Sequence, residues 1–306
     1  MEIIKGLENI REKHESIVTL GTFDGLHTGH KKIIDKVAEE AKNKNIQSVL
    51  VTFEPHPRLV LNNTQNAIQL LSTIEEKIEI LQSFNIDRVV IINFNNDFAN
   101  NSYQDFVKNV LIDKLAMRHL VIGYDHHFGK NRKGNYNSLQ DLTEQAHFEI
   151  TKVDPLYVED TVVSSSLIRS CLREGKVRVA STFLGRHYRL DGKVVKGDGR
   201  GKALNFPTAN IEIRDTHKII PMNGVYAVDT IVKDQRYKGM MNIGFRPTFT
   251  SANYAVEVHI FGLQENIYGE EIIVYFKKRL RREIKFSSKD ELIKQLEIDK
   301  EKSLHL

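Results

Sequence analysis

The hydrophobic pattern changes its period near residue 185, and one sheet cannot satisfy both halves. Before that point, short apolar runs alternate with segments of helical spacing. Residues 17–20 (Ile-Val-Thr-Leu) predict a buried strand, and Gly21-Thr22-Phe23-Asp24-Gly25 predicts the turn that leaves it. A helix is expected next, because Ile33, Ile34, Val37, Ala38 and Ala41 fall on one face. Residues 47–53 predict strand, 74–84 helix with Ile74, Ile78 and Leu81 aligned, and 88–92 strand. A helix over 102–115, with Tyr103, Phe106, Val107 and Val110 inward, and a strand over 119–122 follow. Strand alternating with helix implies an α/β fold with a doubly wound parallel sheet, whose site lies at the C-terminal ends of the strands. After residue 185, strand-like runs at 188–196, 224–232, 237–243, 254–262 and 271–277 succeed one another with little helix. That grammar predicts an antiparallel barrel or sandwich. Ser288 with Glu291 three residues on reads as a capping box for a terminal helix bearing Leu292, Ile293 and Leu296. The expected domains are 1–184 and 185–306.

Composition narrows the function class. With 41% hydrophobic and 27% charged residues, the 306-residue chain is neither disordered nor collagen-like. A single cysteine, Cys171, excludes an intrachain disulfide and a thiolate metal cluster. Core packing is its expected role. Residues 1–184 hold 22 Lys and Arg against 24 Asp and Glu, a balance of −2; residues 185–306 hold 22 against 16, a balance of +6. A basic second half fits an anionic ligand, either nucleotide or nucleic acid. No apolar run resembles a signal peptide or reaches the ~18 residues of a membrane span. A cytoplasmic location with no membrane partner is therefore expected.

Two segments carry the chemistry. Gly21 to His30 (GTFDGLHTGH) stands between a predicted strand and a predicted helix, where glycines let backbone N–H groups approach a phosphate. His27 and His30, three residues apart, can face one way on an opening helical turn and donate to a charge-accumulating phosphate. A lone pair of this spacing is more often a helix cap; the glycines and Asp24 favour the phosphate reading. In the second half, Gly197 to Asn210 combines a glycine-rich stretch with Pro207-Thr208-Ala209-Asn210. Its hydroxyl and amide oxygens suit Mg²⁺ bound with ATP phosphates. Glu257 lies on an alternating strand with His259 and Phe261; it reads either as a solvated carboxylate or as a general base for a hydroxyl attacking a γ-phosphate.

These segments resemble known families. GTFDGLHTGH is similar to the signature of the HxGH nucleotidyltransferases. Phe53-Glu54-Pro55-His56-Pro57, Ile122 to Gly129 with Arg132 and Gly134, and Ser164-Ser165-Ser166-Leu167-Ile168-Arg169 resemble, in order, three further segments of bacterial FAD synthetases. His126 and His127 stand where Phe and Arg are usual in that family, and Ser166 where Thr is usual. The resemblance implies that FMN and ATP give FAD and pyrophosphate, helped by Mg²⁺. Catalysis would use His27 and His30. ATP would be bound by Gly21, Phe23, Asp24, Gly29, Ser165 and Arg169, and flavin by Pro55, His56, Pro57 and Asp125. Residues 197–210, 242–249, 257–261 and 280–286 resemble the riboflavin kinase domain, a small β-barrel, with Asn205 where Gly is usual and with Gly262 and Asn266 where acidic residues are common. That resemblance implies Glu257 as base and ATP on Gly197, Gly201, Lys202, Pro207, Thr208 and Asn210. It also implies Mg²⁺ on Thr208 and Asn210, and flavin on Arg246 and Arg281.

The expectation is thus a bifunctional enzyme: riboflavin is phosphorylated to FMN in the second domain and FMN adenylylated in the first, with riboflavin, FMN and ATP as substrates. Two other readings are a kinase with a weakened first site, since Arg is lost at 127, and a flavin-responsive regulator that binds RNA through the basic second half, whose densest basic run is Lys277-Lys278-Arg279 with Arg281-Arg282. No aromatic-interleaved motif supports RNA. Oligomeric state is open.

Overall fold

A computed structural model of the chain describes residues 1–61, 68–197, 204–248 and 251–306, and for 245–248 and 251–254 the backbone alone. The chain divides into two compact units, Met1–Ser165 and Ser166–Leu306. The second unit thus takes in residues 166–184, ahead of the change of period.

The first unit is built on six parallel strands: β1 (Glu2–Lys5), β2 (Ser16–Leu20), β3 (Gln47–Glu54), β4 (Arg88–Asn93), β5 (Met117–Gly123) and β6 (Glu149–Val153), in spatial order β1-β4-β3-β2-β5-β6. Neighbouring residues of one strand enter different cores. Val18, Val51 and Leu120 join one cluster, whereas Ile17, Leu50 and Val121 join the other. Both faces of the sheet are therefore covered, as a doubly wound sheet requires. The two edge strands were not expected from the sequence. Each buries a single residue, Ile4 or Val153, so neither carries a readable apolar run.

Helices α1 (Thr28–Lys44), α2 (Pro57–Leu61), α3 (Ile74–Leu81), α4 (Asn96–Ala99), α5 (Tyr103–Asp105) and α6 (Tyr136–Ala146) connect these strands. α1 buries Ile34, Val37 and Ala41, as its periodicity predicts. α3 ends at Leu81 rather than 84, and its buried face includes two charged residues, Glu76 and Lys77. The predicted 102–115 helix is short α5 followed by a π-helical stretch, Phe106–Ile112, with Phe106, Val107, Val110 and Leu111 buried.

The second unit opens with α7 (Ser165–Arg173) and α8 (Val177–Leu184), then forms a closed antiparallel barrel. A hairpin of two-residue strands, β7 (Tyr157–Val158) with β8 (Thr161–Val162), belongs to the first unit; the barrel strands are β9 (Tyr188–Val195), β10 (Ala209–Ile213), β11 (Gly224–Val232), β12 (Gln235–Thr248), β13 (Ser251–Ile260) and β14 (Glu271–Arg281). The barrel order is β10-β13-β12-β11-β14-β9. β10 was not foreseen: it follows Pro207 and buries only Ile211. Cys171 is buried in α7, and burial pushes its thiol pKa up.

The terminal helix α9 (Lys289–Leu304) lies on β11 and β12. Its expected capping box is altered. Ser288 Oγ accepts from the Glu291 N–H at 3.2 Å, but the Glu291 carboxylate reaches Ser287 N and Oγ, one residue further back. Arg281 Nε donates to the fully buried Asp299 carboxylate at 2.8 Å, tying β14 to α9. No helix among the described residues is long and apolar enough to cross a membrane.

Candidate functional sites

In the first unit, β2 delivers the chain to the loop before α1. His27 is the N-cap of that helix, and its Nδ1 accepts the His30 N–H at 3.2 Å. A neutral imidazole that accepts at Nδ1 carries its proton on Nε2, which leaves Nε2–H as a donor. The His27 and His30 rings stack with centroids 3.6 Å apart at 17°, and Phe23 meets His30 edge-on at 5.2 Å. Gly29 permits this stack: a Cβ there would lie 3.1 Å from His27 Nδ1. At Gly21 a Cβ would meet only the Phe23 ring, at an ordinary 3.4 Å.

The turn is conformationally demanding. Phe23 (φ 45°) and Leu26 (φ 39°) occupy the left-handed region, beside Gly25 (φ 82°). Asp24 is buried, and its carboxylate accepts the Leu71 N–H at 2.9 Å and the Ser72 N–H at 3.1 Å. Ser72 Oγ accepts the Gly25 N–H, and Ser165 Oγ donates to the Asp24 carbonyl, both at 2.9 Å. Asp24 and Ser165, expected at the nucleotide, thus brace the turn itself. Lys77 completes the support: its Nζ donates to Thr22 O at 2.8 Å and to Thr52 Oγ1 at 3.3 Å. Periodicity missed Lys77, because a pattern read from apolar spacing treats a charged residue as outward-facing.

The Pro-His-Pro segment leaves β3 through a cis Glu54–Pro55 bond. His56 is buried with Nδ1 accepting the Arg58 N–H at 3.1 Å, and Pro57 opens α2. Beside it runs an aromatic row in edge contact, Phe53, Phe94, Phe98, Phe106 and Phe128, with successive centroids 5.6–5.7 Å apart. His126 tilts against Phe128 at 5.5 Å. Burial pushes its pKa down to about 4, and the charges of His127 and Arg132 act the same way. Asp125 and His127 are exposed just past β5. The loops at the C-terminal ends of β2, β3 and β5 therefore hold the expected residues of this unit except Ser165, which opens α7. Arg169 lies in the second unit, buried on α7.

In the barrel, register brings three polar residues side by side. Glu257 on β13 pairs with Asn210 on β10 and with Asn242 on β12. Val256, Val258 and Ile260 are buried in the core, so Glu257 and His259 take the outer face. His259 Nδ1 donates to Pro207 O at 2.7 Å, and its ring lies edge-on to Phe206 and Phe261. Burial holds the His259 pKa down, against the Pro207 hydrogen bond. This contact fixes Pro207 just ahead of Thr208.

Gly197 shapes the same face. A Cβ at 197 would fall 1.9 Å from Asn210 Nδ2, so the amide occupies space that only glycine leaves open. At Gly244 a Cβ would lie 2.6 Å from a Glu283 carboxylate oxygen and 3.3 Å from Asn242 Nδ2. Asn242 and Glu283 therefore adjoin Glu257's row, although motif reading gave them no role. Asn205 adopts φ 62°, a conformation Asn tolerates better than most residues. The Thr208 hydroxyl and the Asn210 amide oxygen are donors of the type Mg²⁺ accepts. Arg281 is committed to Asp299 and, through Nη1, to Arg282 O at 3.0 Å. Gly201 and Lys202 lie outside the described residues, as does the side chain of Arg246.

Comparison with known proteins follows the same division. The family model for FAD synthetase matches residues 9–167, and that for riboflavin kinase matches 184–306. A bifunctional riboflavin kinase/FMN adenylyltransferase from Buchnera aphidicola (subsp. Schizaphis graminum) is 38% identical over 98% of this chain and 96% of its own. Those of the same name from Bacillus subtilis and Escherichia coli K12 are 35% and 32% identical, covering 96% and 98% of this chain and 93% and 96% of their own. A crystal structure from Streptococcus pneumoniae, named as a macrolide-efflux protein, is 29% identical and covers 100% of both chains at a TM-score of 0.92.

Proposed function

The chain belongs to the bifunctional riboflavin kinase/FMN adenylyltransferase family, and we propose that its two reactions are divided between the Glu257 strand and the His27/His30 loop. The chain is an enzyme that phosphorylates riboflavin and adenylylates FMN, with ATP as the donor in both steps. The observation that carries the division is that the two family matches fall on successive segments, each with its own candidate site.

For the kinase step, the ribityl hydroxyl of riboflavin attacks the γ-phosphorus of ATP. Glu257 takes the hydroxyl proton as the new O–P bond forms, and ADP leaves. Its neighbours Asn210 and Asn242 orient that carboxylate from either side. Thr208 and Asn210 would hold Mg²⁺, which would supply neutralisation of phosphate charge. Gly197, Gly201, Lys202 and Pro207 line the nucleotide side, and Arg246 and Arg281 the flavin side.

For the second step, an FMN phosphate oxygen attacks the α-phosphorus of ATP, and the bond to the bridging oxygen breaks to release pyrophosphate. No proton need move, so the demand is alignment and charge stabilisation. His27, through Nε2–H, and His30 donate to the phosphates. Gly21, Phe23 and Gly29 let the nucleotide approach the backbone, and Arg169 forms a fork for phosphate oxygens. Asp24 and Ser165 shape that loop, while Pro55, His56, Pro57 and Asp125 face the flavin. A cytoplasmic location is part of the same reading.

A regulator that binds RNA through the basic second half is not favoured, since its densest basic run, 277–282, is engaged within the fold. Lys277 pairs with Asp229 at 3.3 Å, Arg279 donates to Asn223 O, and Arg281 pairs with Asp299. The test is a product assay with riboflavin and Mg²⁺–ATP, the flavins being separated by chromatography. Glu257→Ala should lose FMN formation by a factor of ~10²–10⁴ and still convert supplied FMN to FAD. His30→Ala should do the reverse. A folded variant that loses both activities overturns the two-site division, and accumulation of FMN alone by the parent protein supports a kinase with a weakened first site.

A further inference from the structure

Neither step uses the buried cation on α3. Lys77 is 5% exposed. An ammonium taken from water is costly unless its protons find acceptors. Its Nζ donates to Thr22 O at 2.8 Å and to Thr52 Oγ1 at 3.3 Å, and Thr52 Oγ1 in turn donates to Thr22 O at 3.3 Å. Burial lowers the Lys77 pKa, while the Asp24 and Glu54 carboxylates favour its charged form.

Both acceptors adjoin the first site, Thr22 in its turn and Thr52 near the end of β3. Thr22 begins the turn that ends in His27. Thr52 stands two residues before Glu54 and the Pro-His-Pro segment. The turn holds two non-glycine residues at positive φ, which persist only where surrounding contacts over-determine them. Several of those contacts come from one short segment, beside the one from Ser165. Leu71 and Ser72 bind Asp24, and Ser72 binds Gly25. Thr73 caps α3 by accepting the Glu76 N–H, placing Lys77 one turn into the helix with its head beneath Thr22.

We propose that Lys77 is a positioning residue for adenylyl transfer: its ammonium fixes the Thr22 carbonyl, and so the placement of the Thr22–Gly25 turn against which the ATP phosphates align. This rests on the assignment of the His27/His30 loop to the nucleotide. A displaced turn leaves the substrates bound but misaligned, so the loss falls on turnover more than on KM.

The test uses the full chain carrying Lys77→Met, which keeps an unbranched side chain of similar length without the charge. Met leaves the Thr22 carbonyl short of a donor and takes a positive charge from beside Asp24 and Glu54, so some loss of stability accompanies it. The expected result is a fall of about 30-fold or more in kcat for FAD formation from FMN. KM for ATP should stay within about threefold, with riboflavin phosphorylation unchanged and the protein folded at the assay temperature. Lys77→Arg, which restores a cationic donor, should recover part of the loss. Lys77→Met turnover within about twofold of the parent overturns the proposal, as does a loss that tracks a lowered melting temperature and is not relieved by Arg. Should Lys77→Met fail to fold, Thr52→Val removes the second acceptor; a smaller fall in kcat is expected, and no fall overturns the proposal. His30→Ala separates the two levels. Full FAD formation in that variant removes the site assignment itself, whereas its loss beside full activity in Lys77→Met removes only the role of Lys77.

Discussion

Gly197→Ala isolates the geometry of the kinase face with a single methyl group. The added Cβ would lie 1.9 Å from Asn210 Nδ2, 2.5 Å from Cγ and 2.9 Å from Oδ1. Ordinary contact between such atoms begins near ~3.5 Å, so the amide must retreat by about 1.5 Å. Its neighbours in the barrel are backbone-paired, so the side chain swings and the strand stays. Gly197 is not among the positive-φ glycines, so alanine fits the backbone. The substitution also restricts the unfolded chain, worth roughly 0.4–1 kcal/mol in favour of folding. Stability should therefore hold or rise while Asn210 leaves its place beside Glu257. A misplacement of ~1 Å near reacting groups costs on the order of 10²-fold, or about 2.7 kcal/mol of barrier. The assay follows total FMN and FAD formed from riboflavin, with conversion of supplied FMN to FAD as internal control. Kinase turnover within about threefold of the parent, in a protein of unchanged melting temperature, would refute the role given to Asn210.

Two further outcomes are expected. His126 is held neutral, with a pKa near 4 against an ordinary 6.5, so the unfolded chain binds a proton that the folded one refuses. Its contribution is therefore complete above about pH 6.5 and lost as pH falls toward 4, by roughly 3 kcal/mol. Urea unfolding of the first unit across that range should show the slope, and His126→Phe should flatten it; an equal slope in both proteins excludes His126 as its source. Asp299→Ala leaves Arg281 without its buried partner, which should destabilise the barrel by about 3 kcal/mol in thermal or urea unfolding. Replacing both residues by apolar ones should recover most of that loss, and no recovery would mean the pair is not what holds α9.

The strands that build each core were legible because their apolar runs are long. Val49 to Phe53 and Val89 to Ile92 are buried residue after residue. The strands that escaped are those whose neighbours do the burying: Glu2–Lys5, Glu149–Val153 and Ala209–Ile213 each bury one side chain. The sites were legible as motifs and illegible as mechanics. Asp24 stands in the glycine turn as though aimed at a ligand, yet its carboxylate receives the Leu71 and Ser72 amides, 47 and 48 residues on. Lys77 reads as the solvated face of a short helix, and only tertiary packing turns it inward. Glu257 could be chosen from strand alternation, whereas its flanking asparagines depend on register between β10, β13 and β12, which no local spacing encodes.

Closure of the barrel also orders events during synthesis. The first unit's parallel sheet is complete once Val153 has been made, because every partner of its strands precedes that residue. The barrel has no such early stopping point. β9 opens it, but the seam that joins its ends pairs Tyr188 with Phe276, so the ring stays broken until nearly the whole chain has left the ribosome. Until then β9 presents an unpaired edge, the kind of surface that other chains can add to. The adenylylating half of a nascent chain can therefore gain its shape well before the half that makes its substrate.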